Sequence, residues 1–159
     1  MKFEFSAGGI VFKKEDGNIF VLVSQHSQHH GWVFPKGLIG DSGKELNPPS
    51  PRLRRAKKET KQEAALREVQ EETGVVGKIL KELTPVSYWY VHDGQKIKKA
   101  VYYFLMEYVS GDIADHDFEM ENVEWLPIDK VEERLTYKSD KQVWKDAKKV
   151  IESTHGGVA

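Results

Sequence analysis

Residues 59–75 read ETKQEAALREVQEETGV, and their spacing predicts a helix with two unlike faces. Glu68, Glu71 and Glu72 fall at i, i+3 and i+4, which puts three carboxylates on one side. Ala64, Ala65, Leu66 and Val69 supply an apolar stripe for packing. Thr60 and Glu63 have the S/T-x-x-E spacing of a capping box, and Gly74 suits the left-handed residue that ends a helix. Like charges at i,i+4 disfavour an isolated helix by about 0.2–0.5 kcal/mol per pair, so a fold that keeps three together is expected to neutralise them. Mg²⁺ does this well, because it takes oxygen from a few carboxylates and leaves places for water and phosphate. Arg67, four residues before Glu71 and eight after Glu59, can brace carboxylates that do not bind metal. A solvated face of charge is the alternative reading of the same spacing.

The order of residues carries more than the spacing does. Arg67-Glu68-Val69-Gln70-Glu71-Glu72-Thr73-Gly74-Val75 resembles the second half of the Nudix box, R-E-U-x-E-E-x-G-U with U a bulky aliphatic. Glu59 stands where the box has its earlier Glu, and Trp32-Val33-Phe34-Pro35-Lys36-Gly37 resembles the W-x-x-P-K-G that supplies its first glycine. There is one departure. The family pattern has a short spacer between that glycine and Glu, whereas 21 residues (59 − 37 − 1) separate Gly37 from Glu59 here. Residues 41–58 are read as containing an insertion in the loop before the helix, outside the metal-binding half.

The resemblance implies an α+β Nudix fold, an α/β/α sandwich around a mixed β-sheet with a catalytic loop-helix-loop. It implies a single domain over residues 1–153 with a flexible tail at 154–159. It also implies Mg²⁺, with Mn²⁺ as a substitute, on the Gly37 carbonyl, Glu68, Glu71, Glu72 and Glu119. Glu119 matches the family's distant fourth carboxylate by its E-x5-W spacing to Trp125. Glu68, Glu71, Arg67 and Glu119 are then the candidate catalytic residues, and which carboxylate acts as base stays open.

Composition sets the outer bounds. A chain of 159 residues is one domain by length, with 39% hydrophobic and 31% charged residues. A net charge of −1 creates no field that demands nucleic acid or membrane, so neither is expected as a partner. Without cysteine there is neither a disulfide frame nor a thiolate metal site. No apolar run reaches membrane-spanning length and the first residues do not open a signal peptide, so a cytoplasmic protein is expected, as a monomer.

In chain order, Phe3 to Phe12 reads as a strand with the pair Gly8-Gly9 inside it, a mark of a bulge or close backbone approach. Glu15-Asp16-Gly17-Asn18 is a turn, and a return strand follows from Ile19 to Ser24. His26, His29 and His30 suit no common zinc spacing and read as a polar rim loop. Lys36, beside the helix, can meet a phosphate. Residues 51–58 are basic, and read as a solvated loop, a lid over polyphosphate, or an RNA contact. Val75 to Leu83 has a mixed pattern. Val86 to Val91 and Ile97 to Tyr108 form a hairpin about Asp93-Gly94. Its aromatics with Lys98 and Lys99 are the mixture wanted for a nucleobase plus phosphates. Asp129 is read as the cap of a short helix over residues 127–135. Residues 139–152 form an amphipathic helix that buries Val143, Trp144, Ala147, Val150 and Ile151.

Several of these stretches resemble the asymmetrical diadenosine tetraphosphate hydrolases: S-A-G-G from Ser6, W-V-F-P-K-G, Tyr88-Trp89-Tyr90, K-x-V-Y-Y-F-L from Lys99, and Arg134-Leu135-Thr136-Tyr137. That branch implies Tyr88, Tyr103 and Tyr137 against adenine, Lys36 and Lys99 on phosphate, and cleavage to AMP and ATP. The alternatives are a pyrophosphohydrolase for an oxidised nucleoside triphosphate, an RNA 5′ end or a diphosphoinositol polyphosphate, or a binding module without catalysis.

Overall fold

A computed structural model of the chain describes residues 2–40 and 59–156. The residues read as an insertion, with their basic stretch, lie outside that set.

Eight strands form one mixed sheet: β1 (Lys2–Glu15), β2 (Asn18–His26), β3 (Trp32–Val33), β4 (Lys36–Leu38), β5 (Val75–Glu82), β6 (Val86–His92), β7 (Gln95–Gly111) and β8 (Met120–Pro127). The central path runs β3-β2-β1-β7-β5, with β4 on β1, β6 on β7 and β8 on β2. Only the long β1–β7 pairing, Lys2 opposite Ile97 through Phe12 opposite Glu107, is parallel among these pairs. Asp16 and Asp93 at φ 53° and 51°, each followed by a glycine at positive φ, close two tight hairpins as the Asp-Gly signals require. The stretch read as mixed after Gly74 is strand β5, which pairs antiparallel with β7 at one end of the central path.

The helices are α1 (Lys61–Thr73), α2 (Val131–Arg134) and α3 (Lys138–Ile151). Their apolar stripes fix the layers. On one face Ala64, Ala65 and Val69 of α1 pack with Ala7, Val11, Phe104 and Met106. On the other, Val143, Trp144, Ala147 and Ile151 of α3 pack with Ile10, Phe12, Phe34 and Tyr103. A sheet between two helical layers is the expected sandwich. Burying each such aliphatic or aromatic side chain contributes about 1.5–3 kcal/mol before chain entropy is counted.

Three local expectations need correcting. Asp129 caps no helix: it lies in a 3₁₀ turn (Ile128–Lys130) whose N-cap, Pro127, makes no side-chain bond. The helix read as starting at Ser139 starts at Lys138, and Val150 is only partly buried. The tail read from residue 154 continues as a π-helical turn, Glu152–Gly156.

Candidate active site

The capping box of α1 is complete: the Thr60 hydroxyl accepts from Glu63 N and the Glu63 carboxylate accepts from Thr60 N. At the other end Gly74 has φ 81° and donates its N–H to the Gln70 carbonyl. These ends fix the rotation of the helix, and with its alanines buried, Glu68 and Glu72 turn into the molecule. Both are almost fully buried, where a Glu side chain is rarely found unless it is paired.

Arg67 organises the acidic groups around it. Its Nε and Nη2 donate to Glu59 at 2.6 and 2.9 Å, and Nη1 donates to Glu68 at 2.7 Å and to Glu71 at 3.1 Å. The forked pairing holds the Glu59 carboxyl below its ordinary range, with the Gly40 N–H as a further donor. Arg67 is pushed up by Glu59 and Glu68 and stays charged. Glu71 is half exposed on the Arg67 side and does not line the cavity beside α1.

That cavity has a volume of about 800 Å³, within the range of sites for nucleotide-sized ligands. Glu68, Glu72, Gly37 and Glu119 line it, and so do Lys36 and Lys99. Tyr88, Tyr90, Tyr137, Phe34 and Asp140 complete the wall, and His26 and His29 stand at the rim. The expected Lys36, Lys99, Glu68, Glu72, Glu119, Gly37, Tyr88 and Tyr137 are thus brought to one space.

Two polar relationships set its electrostatics. Burial pushes the Glu72 carboxyl well above its ordinary range, and Glu68 and Asp117 push the same way. Lys36 opposes them, chiefly through its charge. Lys99 is lowered by burial and then by the charge of Lys36. An anion among these lysines, with a cation on the buried carboxylates, would relieve both tensions.

Gly8 explains how the turn before α1 approaches β1. A Cβ there would fall 2.2 Å from the Pro35 carbonyl oxygen, so only glycine admits the P-K-G turn. A Cβ on Gly37 would fall 2.0 Å from Glu68 Cδ. The Gly37 backbone is therefore laid directly against a buried carboxylate. Two buried carboxylates, the Gly37 backbone against one of them and Glu119 on the same cavity supply the oxygen donors that a hard divalent cation takes. Among the described residues no three His, Asp or Glu side chains are already gathered for a cation. The residues present fit one through the cavity they share.

Tyr103 is corrected. It is fully buried between Phe34 and the Asp140 carboxylate and lies outside the cavity wall, since its alternation along β7 points it under α3. Tyr90 takes a place on the wall that was not expected. Asp140 was missed too, although it had a signal: it sits on the stripe of Val143, Trp144, Ala147 and Ile151, at positions where only apolar residues should be. The rim histidines are ordered by one another. His26 and His29 stack with centroids 4.4 Å apart, and the Tyr137 hydroxyl lies 2.9 Å from His29 Nδ1.

Fold and site together define a domain that presents two buried carboxylates and two lysines to one cavity. The chain belongs to the NUDIX family, whose NUDIX domain matches residues 2–151. It is 33% identical, over 94% of this chain and 56% of the other, to a Mycobacterium tuberculosis protein named as mutator protein MutT4. It is 29% identical to an 8-oxo-(d)GTP phosphatase of Mycolicibacterium smegmatis, over 86% of this chain and 38% of that one. The chain thus spans about half the length, or less, of these relatives. Among solved structures, a C. elegans Ap4A hydrolase binary complex superposes with a TM-score of 0.66 at 20% identity, covering 94% of this chain and 98% of that one. The NUDIX domain of Shewanella oneidensis NrtR with ADP ribose also reaches 0.66, at 19% identity and coverage of 95% and 90%. At such identities the likeness is one of fold.

Proposed function

We propose that this domain hydrolyses a pyrophosphate bond of a nucleoside polyphosphate with Mg²⁺, and that its substrate is diadenosine tetraphosphate, released as AMP and ATP. The observation that carries the reading is the sharing of one cavity by the buried Glu68–Glu72 wall, Lys36 and Lys99, and the aromatic wall of Tyr88, Tyr90 and Tyr137.

Each residue has a part. Glu68, Glu72, Glu119 and the Gly37 carbonyl would hold Mg²⁺, which when bound neutralises phosphate charge and favours ionisation of water. Lys36 and Lys99 bind phosphate oxygens, and Tyr88 and Tyr137 hold the adenine. Arg67, charged and anchored on Glu59, keeps Glu68 in position, and Glu71 completes the set of acceptors around it. A water oxygen attacks a terminal phosphorus. As that P–O bond forms, the bridging P–O bond breaks and ATP leaves with its electron pair. The water proton passes to the carboxylate of Glu68, Glu72 or Glu119.

A second reading has its own support. The relatives named above as mutator protein and 8-oxo-(d)GTP phosphatase favour an oxidised nucleoside triphosphate in the same space. Product chromatography separates the two. Purified protein with Mg²⁺ is given diadenosine tetraphosphate, dGTP, 8-oxo-dGTP or an inositol pyrophosphate. AMP plus ATP is the expected outcome. Two ADP contradict the position of attack, turnover of 8-oxo-dGTP alone selects the second reading, and nucleotide binding without cleavage of any compound defeats catalysis.

A further inference from the structure

The turn that carries Lys36 and Gly37 has little secondary structure of its own. Strand β3 ends at Val33, Pro35 has no N–H, and β4 pairs with β1 over only three residues, so the Phe34 N–H needs a partner from elsewhere. That partner is Asp140. Its Oδ1 accepts from Phe34 N at 3.2 Å and lies 3.4 Å from the Tyr103 hydroxyl, and the residue is 3% exposed. The turn is thus held at the Phe34 N–H by a buried acidic side chain of α3.

Further bonds join the same partners. Thr136 N donates to the Trp32 carbonyl at 3.1 Å, and its Oγ1 accepts from Trp32 N at 2.9 Å. The Phe34 ring packs against Tyr103 and Trp144. A buried carboxyl costs several kcal/mol unless something compensates it, and an apolar residue at 140 would complete the α3 stripe at lower cost. Asp140 therefore has a task that packing does not explain. The Lys36 charge favours the ionised form of Asp140 as well as that of Glu72.

We propose that Asp140 is a positioning residue: by accepting from Phe34 N it sets the Pro35-Lys36-Gly37 turn so that the Lys36 ammonium stands where phosphate binds. The inference rests on the reading of Lys36 as a phosphate ligand. Asp140 acts through the turn and from the layer opposite α1, so the last helix controls affinity for a group bound beside the first one.

A double-mutant cycle tests it, with affinity for inorganic tripolyphosphate in Mg²⁺ read by titration calorimetry and folding checked by thermal melting. Asp140→Ala is expected to weaken binding at least about tenfold, whereas Asp140→Asn, which keeps the acceptor oxygen, stays within about threefold of the parent protein. In a Lys36→Met background, Asp140→Ala is expected to change affinity less than about twofold, since the lysine to be positioned is gone. If Asp140→Ala does not melt cooperatively, Asp140→Leu, which fills the buried volume, replaces it. Equal losses in both backgrounds, failure of Asn to restore binding, or no tripolyphosphate binding by the parent would each overturn the proposal. Turnover is measured separately. A non-additive cycle without hydrolysis of any nucleotide sinks the catalytic reading alone, and an additive cycle in an active enzyme sinks this inference alone.

Discussion

At the scale of single residues, Arg67 and Glu72 show two ways of keeping a carboxylate inside. Glu59 is compensated within the protein by a forked guanidinium and a backbone N–H, so its carboxyl is held below the ordinary value of 4.5. The unfolded chain binds a proton there more readily than the native one. The pair therefore stabilises the protein above that value and is lost as pH falls through the lower folded value. Glu59→Gln is expected to cost about 2 kcal/mol at pH 7, by loss of charge-assisted hydrogen bonds, and almost nothing in strong acid. Denaturant melts at both ends of that range check it. Glu72 has the opposite sign. Its folded value is raised, so in EDTA the native state holds a proton that the unfolded chain has released, and stability falls as pH rises above 4.5. Glu72→Gln should flatten that decline and melt higher than the parent at pH 8 in EDTA, while the parent alone gains melting temperature from added Mg²⁺. A parent indifferent to Mg²⁺ would count against Glu72 as a ligand.

At the scale of elements, α1 was legible almost to the residue because its information is local. The cap, the alanine stripe, the carboxylate spacing and the glycine stop lie within one short stretch, and each works through neighbours three or four residues away. The stop is also a packing requirement: a Cβ on Gly74 would fall 2.4 Å from the Asp112 carbonyl oxygen as well as straining φ 81°. Gly74→Ala is expected to destabilise by about 2 kcal/mol, measured as a shift in denaturation midpoint. The elements that were misread depend on distant partners. Tyr103 and Tyr102 are neighbours in a strand rich in aromatics, and only the side of the sheet that α3 covers decides which is buried. The same holds for Asp140, whose partner Phe34 is 106 residues away.

At the scale of the whole molecule, the sheet is what brings distant motifs together. The parallel β1–β7 pairing sets Glu4 opposite Lys99, and β6 adds Tyr88 opposite the same lysine. β4 on β1 carries Lys36 and Gly37 to the start of the cavity, and α1 lies over the same strand. The order of the residues that resemble the Nudix box allowed the carboxylates and Lys36 to be named from sequence. Tyr88, Tyr137 and Lys99 were also named, whereas Tyr90 and Asp140 reach the same cavity through the β6–β7 pairing and the start of α3. The exposed Phe3, Phe5, Trp89 and Val91 lie on alternate positions of paired strands, continuing the face that α1 covers. No helix among the described residues is long and apolar enough to cross a membrane.

The central claim is that the buried acids of α1 make the cavity a hydrolytic site, and the most direct measurement is turnover by Glu72→Gln. The variant and parent are compared on diadenosine tetraphosphate with saturating Mg²⁺, after melting curves establish that both fold. A loss of at least about 100-fold in kcat with cooperative melting retained is predicted, the scale expected when a group stabilising transition-state charge is removed. Turnover equal to that of the parent would contradict the account.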